Sequence, residues 1–259
     1  MSIAPLLTLP PAILAAGGCL LGLLAGSFVA TAAIRWPKGE SVLAGRSRCD
    51  TCEAPLRAHE LVPVFAYAIQ RGRCRRCGGR IDPNHLAIEL AAGMIGLVAG
   101  LAHPLPLGLA TALLGWWLLL IALLDLDHQW LPDRLTLPLI PLGLAAAWAG
   151  LGPPLAERAA GAAIGWAALV AIAWLYRSLR GREGLGGGDP KLLGAIGAWV
   201  GAWHLPVILL GAGMLGLAAV LQMRMRGQAV GATSRLPLGT LMALTAWPVW
   251  LVVAGQYRP

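Results

Sequence analysis

Residues 107–133 read LGLATALLGWWLLLIALLDLDHQWLPD, and they decide the class of the chain. Residues 107–124 carry no charge and come close to the roughly 20 apolar residues a helix needs to cross a bilayer core. Asp125, Asp127 and His128 follow at once. An apolar run of this length that stops on an acid reads as a membrane helix delivering an ionisable group to the edge of the bilayer, where such groups are costly and therefore functional candidates.

Working outward, seven more stretches approach the same length, at about 12–34, 85–102, 135–151, 160–176, 192–203, 206–223 and 237–255. The run 192–223 is too long for one upright helix, and Trp203-His204-Leu205-Pro206 is expected to break it into two. The whole chain agrees: 58% of its 259 residues are hydrophobic and 12% charged, against about 45–50% and about 25% in ordinary soluble domains. Mean hydropathy is +0.70, and the 34 Gly and 19 Pro follow no three-residue period, which excludes disordered, collagen-like and disulfide-scaffold classes. The expectation is an all-α polytopic membrane protein of about eight transmembrane helices. It divides into a first helix (1–34), a cytoplasmic cysteine loop between helices 1 and 2 (35–84) and a seven-helix core (85–259). No Lys or Arg precedes Arg35, so the first helix lacks the basic flank of a cleavable signal peptide and is expected to stay as a span.

The net charge of +8 would suggest nucleic acid in a soluble chain. Here its placement points to lipid and to an orientation instead. With eight spans, ten Lys/Arg fall in 35–84, one in 125–134, four in 177–191 and three in 224–236, all on one face; only Arg158 and Arg258 fall on the other. The positive-inside rule makes the first face cytoplasmic, and no nucleic-acid partner is expected.

Cys49-Asp50-Thr51-Cys52 and Cys74-Arg75-Arg76-Cys77 lie 21 residues apart in that cytoplasmic stretch, a spacing by which two CxxC turns close a tetrahedral thiolate site for Zn²⁺. Four protein ligands leave no open position, so a structural role follows. Gly45, Gly72, Gly78 and Gly79 flank the pairs. Cys19, inside the first span, reads as a packing residue.

Asp189 follows Gly184-Leu185-Gly186-Gly187-Gly188, and the orientation argument puts it on the same face as Asp125. Two carboxylates meeting at a low-dielectric boundary cannot both ionise easily: one holds a proton while the other accepts one from water, the arrangement of an aspartic peptidase. The Gly-rich approach leaves room for an extended substrate backbone, so Gly187, Gly188 and Lys191 are candidate substrate contacts. Asp127 reads as a solvated loop residue and Asp133 as a helix cap. Glu89 is expected to pair with His85 at i, i+4 or with an arginine. His59, His103, His128 and His204 show no convergent partners.

These residues together resemble the type IV prepilin peptidases, bifunctional leader peptidase/N-methyltransferases of pilus and type II secretion systems. The likeness runs through Gly26-Ser27-Phe28, Gly45-Arg46-Ser47-x-Cys49-x-x-Cys52, Leu61-Val62-Pro63, Arg71-Gly72-Arg73-Cys74-Arg75-x-Cys77, Glu89-Leu90, Leu124-Asp125-x-Asp127-His128-Gln129-x-Leu131-Pro132-Asp133 and Gly186-Gly187-Gly188-Asp189-x-Lys191-Leu192-Leu193. The resemblance implies that Asp125 and Asp189 are the catalytic pair of a GxGD-type intramembrane aspartic peptidase in the bacterial inner membrane. It implies prepilin and pseudopilin substrates cut after the Gly that ends a short basic leader, then methylation of the new N-terminus with S-adenosylmethionine, an activity associated with the cysteine loop and its surroundings. The sequence does not identify the residues that hold this donor. One position departs from the family: Ala30 stands where a Gly-Ser-Phe-Leu-Asn motif commonly carries Asn. Two rival classes fit the composition. A transporter with a proton-relaying aspartate pair would show flux in vesicles, and a noncatalytic secretion-system scaffold would shorten no substrate.

Overall fold

The computed structural model describes residues 9–42, 47–49, 51–228, 231 and 236–257. Gly45, Arg46 and Asp50 of the first cysteine motif, and Arg235 and Arg258 of the charge distribution, lie outside the described residues. Among those described there are ten α-helices and no strand, only two isolated bridges. Six helical segments are long and apolar enough to cross a membrane: Pro11–Lys38, Pro83–Ala102, Leu107–His128, Leu155–Arg180, Ala202–Met225 and Leu238–Gln256. The chain forms two compact units, divided between Leu120 and Ile121.

In the first unit, α1 (Pro11–Arg35) packs along α3 (Pro83–Ala102), with the cysteine loop and the short α2 (Phe65–Ile69) between them in sequence. Gly18, Gly22 and Gly26 recur every fourth residue, on one face of α1. That face has no room for a side chain: a Cβ on Gly18 would lie 2.2 Å from the Gly96 carbonyl oxygen, one on Gly22 2.2 Å from that of Ala92, and one on Gly26 2.7 Å from Glu89 Cα. This is the small-residue packing that lets membrane helices associate where lipid removes the hydrophobic drive between them. Trp116, in the first part of α4 (Leu107–His128), donates from Nε1 to the Ala92 carbonyl at 2.8 Å.

The second unit holds the end of α4, then α5 (Asp133–Thr136), α6 (Leu139–Trp148), α7 (Leu155–Arg180), α8 (Asp189–Val200), α9 (Leu205–Met225) and α10 (Leu238–Gln256). Two of the eight expected spans differ in form. The stretch 135–151 becomes α5 and the ten-residue α6, divided at Pro138, and the stretch 192–203 becomes the twelve-residue α8. At 1.5 Å per residue these are roughly 15 and 18 Å long, short of a bilayer core of about 30 Å. Every residue of α8 except Lys191 is buried, against α6, α7 and α10. Glycine again sets the approach: Cβ atoms on Gly161 and Gly197 would meet each other's carbonyl oxygens at 2.4 and 2.2 Å, and one on Gly143 would meet that of Ala198 at 2.4 Å.

The break after α8 falls at Gly201, earlier than the expected Trp203–Pro206 turn. Gly201 has φ 80° and ψ 169°, a region open essentially to Gly alone. Pro206 lies one residue inside α9, where its missing N–H removes no helical bond.

Arg158 is fully buried in α7. Its guanidinium closes the chain between α6 and α7: Nη1 donates to the Gly143 carbonyl at 2.7 Å, Nε to that of Pro153 at 3.0 Å, and Nη2 to that of Leu151. It also stacks 5.0 Å from the Trp250 ring centroid of α10, and Trp250 meets Trp199 of α8 edge to face at 5.3 Å. One side chain thus ties four helices. Replacing Arg158 by Met strands three buried carbonyls, so we expect a loss of about 3 kcal/mol and a lower melting temperature in detergent. Arg158→Lys should recover little of it, because an ammonium cannot fork to three separate acceptors at those angles.

Candidate active site and metal centre

The fold brings three helix ends of the second unit together. α4 runs a turn beyond the expected end of its span, which places Asp125 inside the helix rather than just past it. Asp189 is the first residue of α8. Gly239 and Thr240 form the first turn of α10, where backbone N–H groups have no helical acceptor. Asp125 and Asp189 are only 5% and 7% exposed.

Asp125 Oδ2 accepts from the Thr240 backbone N–H at 2.7 Å and from the Thr240 hydroxyl at 3.2 Å. The same hydroxyl lies 2.9 Å from the Ala122 carbonyl, so its single proton is shared between α4's backbone and the acid. Asp189 Oδ2 accepts from the Gly186 amide at 3.0 Å, folding the Gly-rich segment back over the acid. Asp189 lies outside the six membrane-length helices. The two acids, 64 positions apart in sequence, are both buried in the second unit, with no basic side chain among the described residues bonded to either.

Leu131 shows how closely the two acids are held. A Cβ on Gly188, beside Asp189, would lie 2.6 Å from Leu131 Cβ; one on Gly239 would lie 2.8 Å from Leu131 Cδ2 and 3.0 Å from Asp125 Oδ2. A single leucine side chain therefore fills the space between the glycine next to each acid. Around Gly187 the segment is open: a Cβ there would meet nothing within 4 Å. Lys191 donates to both oxygens of Asp133, at 2.7 and 2.8 Å. Asp133 thus serves as an ion-pair partner, while Pro132 occupies the cap position of α5.

Sequence reasoning brought Asp125 and Asp189 to one face but missed Thr240, Gly239 and Leu131. A threonine in the first turn of an apolar span was the available signal. Glu89 also departs from expectation. Its Oε2 accepts from the Val64 amide at 2.8 Å, not from His85 or an arginine.

In the first unit the four cysteine sulfurs lie within 4.8 Å of one another, with Cys49 and Cys77 Sγ 3.9 Å apart. A tetrahedral Zn²⁺ with Zn–S bonds of about 2.3 Å would set its sulfurs about 3.8 Å apart, so the donors fit. The two CxxC turns repeat one design. Cys49 N–H donates to the Ala54 carbonyl at 3.0 Å and Cys74 N–H to that of Gly79 at 2.8 Å, while Glu53 and Gly78 take the matching left-handed position with φ 55° and 69°. Amides point at sulfur, Thr51 N–H to Cys49 and Gly79 N–H to Cys77, each at 3.4 Å. The amides of Cys77 and Arg76 draw the Cys74 thiol down to about 7. At Cys77 the Gly79 amide pulls downward too, but the neighbouring thiols of Cys52, Cys74 and Cys49, together with burial, outweigh it and push that thiol up to about 11. Four thiols this close resist joint ionisation unless a cation joins them.

Comparison with known proteins gives two family models. The bacterial peptidase A24 N-terminal domain matches residues 20–103, and the type IV leader peptidase family matches residues 112–221. The prepilin leader peptidase/N-methyltransferase of Dichelobacter nodosus is 37% identical over 82% of this chain and 72% of that protein. Those of Pseudomonas putida and Neisseria gonorrhoeae are each 32% identical, over 95% and 92% of this chain and 93% and 91% of theirs. No solved structure matches the chain.

Proposed function

The chain belongs to the type IV leader peptidase family, and from that membership we propose that Asp125 and Asp189 are the two acids with which it removes the leader from type IV prepilins before N-methylating the terminus so exposed. The observation that carries the assignment is the pairing itself: two buried carboxyl groups from different helices, bracketed by Gly188 and Gly239 around one leucine. Ion pairs or caps would account for either acid alone but not for both left without a basic partner in an apolar bundle.

The roles follow from the donors. Asp125, which accepts the Thr240 amide and its shared hydroxyl on one oxygen, is the ionised member and takes a proton from the attacking water. Asp189 holds the other proton and donates it to the scissile carbonyl oxygen. Water oxygen bonds to the carbonyl carbon, giving a gem-diol; the C–N bond then breaks as the proton taken up by Asp125 passes to the leaving amine and one hydroxyl proton of the diol returns to Asp189. A helical substrate hides its carbonyls, so the cleaved segment is extended along Gly187 and Gly188, where the enzyme has no side chains. Lys191, half exposed, can leave Asp133 for a substrate carbonyl at a cost of about 1 kcal/mol or less.

Eight crossings, with α6 and α8 as short ones, put the Lys/Arg-rich loops in the cytoplasm and the chain in the bacterial inner membrane, with pseudopilins of secretion systems as further substrates. The four cysteines hold a structural Zn²⁺, which contributes the folding of residues 35–84. S-adenosylmethionine is the methyl donor.

Asp125→Asn and Asp189→Asn should each lower leader removal from a model prepilin at least about a hundredfold in detergent, without loss of the folded state; near-normal processing by either overturns the assignment. For the metal, purified chain should carry about one Zn²⁺, and Cys74→Ser should release it and lower the melting temperature, while residual folded protein still cuts. Elemental analysis of wild-type protein without zinc would refute this.

A further inference from the structure

We propose that residues 61–69 of the cysteine loop are an interfacial anchor, seated in the leaflet where α1 ends and α3 begins, with Phe65 and Ile69 among the acyl chains and Arg71, Arg73 and Arg76 at the phosphates of anionic lipids. This rests on α1 and α3 crossing the bilayer, and the leaflet is the cytoplasmic one in the orientation proposed above. Four large apolar side chains of the segment, Leu61, Val62, Phe65 and Ile69, are exposed, the last two by 62% and 67%. Phe65 and Ile69 stand four residues apart and so share one face of α2. A five-residue helix does not hold itself together in water, and one that turns a phenylalanine and an isoleucine outward needs an apolar medium on that side.

The depth of the segment supplies that medium. α3 has 20 residues, about 30 Å at 1.5 Å per residue, which only just matches the hydrocarbon core of a bilayer. Its first residue, Pro83, therefore stands at the core boundary, and Glu89, six residues on, about 9 Å inside it. The Val64 amide donates to Glu89 Oε2 at 2.8 Å. Because side chains on a helix lean toward its N-terminus, Val64 lies roughly 5 to 9 Å below the boundary. The same level is reached on α1: Leu61, Val62 and Val64 line a cavity together with Ser27, eight residues before the end of that helix. Interfacial helices bury their apolar face by about 5–10 Å, the same range.

Backbone accounting points the same way. Where water is scarce, an irregular loop has to satisfy its donors within the protein. Pro63 has no N–H, the Val64 amide goes to Glu89, that of Phe65 to the Pro63 carbonyl at 2.6 Å, and those of Ala66 and Ala68 to the carbonyls of Val62 and Val64, each at 2.9 Å. Val64 takes φ 63° and ψ −50°, the centre of a γ-turn that β-branched residues avoid. That turn aims one amide at Glu89 and the next at Pro63 while swinging the chain into α2. A loop in water could leave both amides to solvent and relax the strain.

Charge begins where the apolar segment ends. Arg71 follows the last residue of α2 by two positions; Arg73, Arg75, Arg76 and Arg80 come next, all of them exposed, and no acid occurs from 70 to 80. A basic cluster of this size at a membrane surface attracts anionic headgroups. A protein partner for the same surface would have to be acidic opposite the arginines and apolar opposite Phe65 and Ile69 at membrane depth. A single class of lipid supplies both, a phosphate for the guanidinium groups and acyl chains for the rings and aliphatic groups beneath them.

The chain has two phenylalanines, Phe28 and Phe65, so the full-length protein grown with fluorophenylalanine gives two fluorine resonances, assigned with Phe28→Leu. Phe28, half exposed within α1, is the internal reference for a ring facing lipid. In nanodiscs containing phosphatidylglycerol, a nitroxide on the lipid acyl chain should broaden both resonances. A water-soluble gadolinium chelate, which the bilayer core excludes, should relax Phe65 within about fivefold of Phe28. Faster relaxation of Phe65 than that overturns the anchor in favour of a solvated face, and a Phe65 resonance that neither agent affects overturns it in favour of a covering protein. Exchanging phosphatidylglycerol for phosphatidylcholine should weaken the acyl-chain broadening of Phe65 at least about twofold and leave Phe28 unchanged; equal broadening of Phe65 in both lipids overturns the role given to the arginines. Gadolinium relaxing Phe28 as readily as a ring in open solution overturns the crossing of α1, and the anchor with it.

Discussion

An isolated carboxylate cannot keep its charge inside an apolar helix bundle, and the second unit is arranged around that constraint. Ionisation of Asp125 has to be met by donors that are themselves dry, and the first turn of a helix supplies them without any basic side chain, because its N–H groups have no acceptor of their own. Thr240 at the start of α10 occupies that position and donates its amide to Oδ2. Once one acid is held ionised in this way, its neighbour keeps a proton. The chemistry of the pair is thus set less by the acids than by which of them the α10 amides reach.

That arrangement demands that the end of α4, the start of α8 and the start of α10 meet at one level, which a bundle of uniform membrane-length helices would not provide. A short α8 resolves the geometry. It begins at Asp189 and stops twelve residues later at Gly201, so its N-terminus and the acid it carries lie within the protein. Lipid could not stabilise so short an element. Protein does, through glycine contacts with α6 and α7 and the Trp199–Trp250 pair, which Arg158 anchors from beyond. Small residues bring backbones close enough that dispersion along the whole helix replaces the missing apolar length.

Much of this was legible in the residue order, and the parts that were not share a cause. Hydropathy located the long helices to within a few residues, and an acid after an uninterrupted apolar run identified Asp125 because nothing local explains it. The lengths of α6 and α8 were not legible, since a window average records how apolar a stretch is and not whether lipid or protein surrounds it. Partners were missed where they come from distant elements. Helical spacing offered His85 to Glu89, yet the loop at Val64, 25 residues away, supplied the donor. A cap was the local reading of Asp133, and Lys191, 58 residues on, took it. Thr240, one of two threonines in its apolar helix, is distinguished only by the fold, which sets it against Asp125. Sequence spacing ranks the interactions a residue can make with its own helix and is silent on those the topology creates.

The two units answer opposite demands. Thiolates that gather a zinc ion need access to water and metal, and two of the four cysteines are exposed; the acids need exclusion from water, and both are buried. Keeping the sites on separate units lets each have its own medium. Chemistry then fixes the order in which they act. The amine that accepts a methyl group is tied up in a peptide bond until the leader is cut, and an amide nitrogen, its lone pair delocalised into the carbonyl, is a poor nucleophile. Cleavage is therefore a precondition of methylation while methylation has no bearing on cleavage. A lesion that blocks leader removal therefore silences both reactions, and one that blocks only methyl transfer silences the later alone.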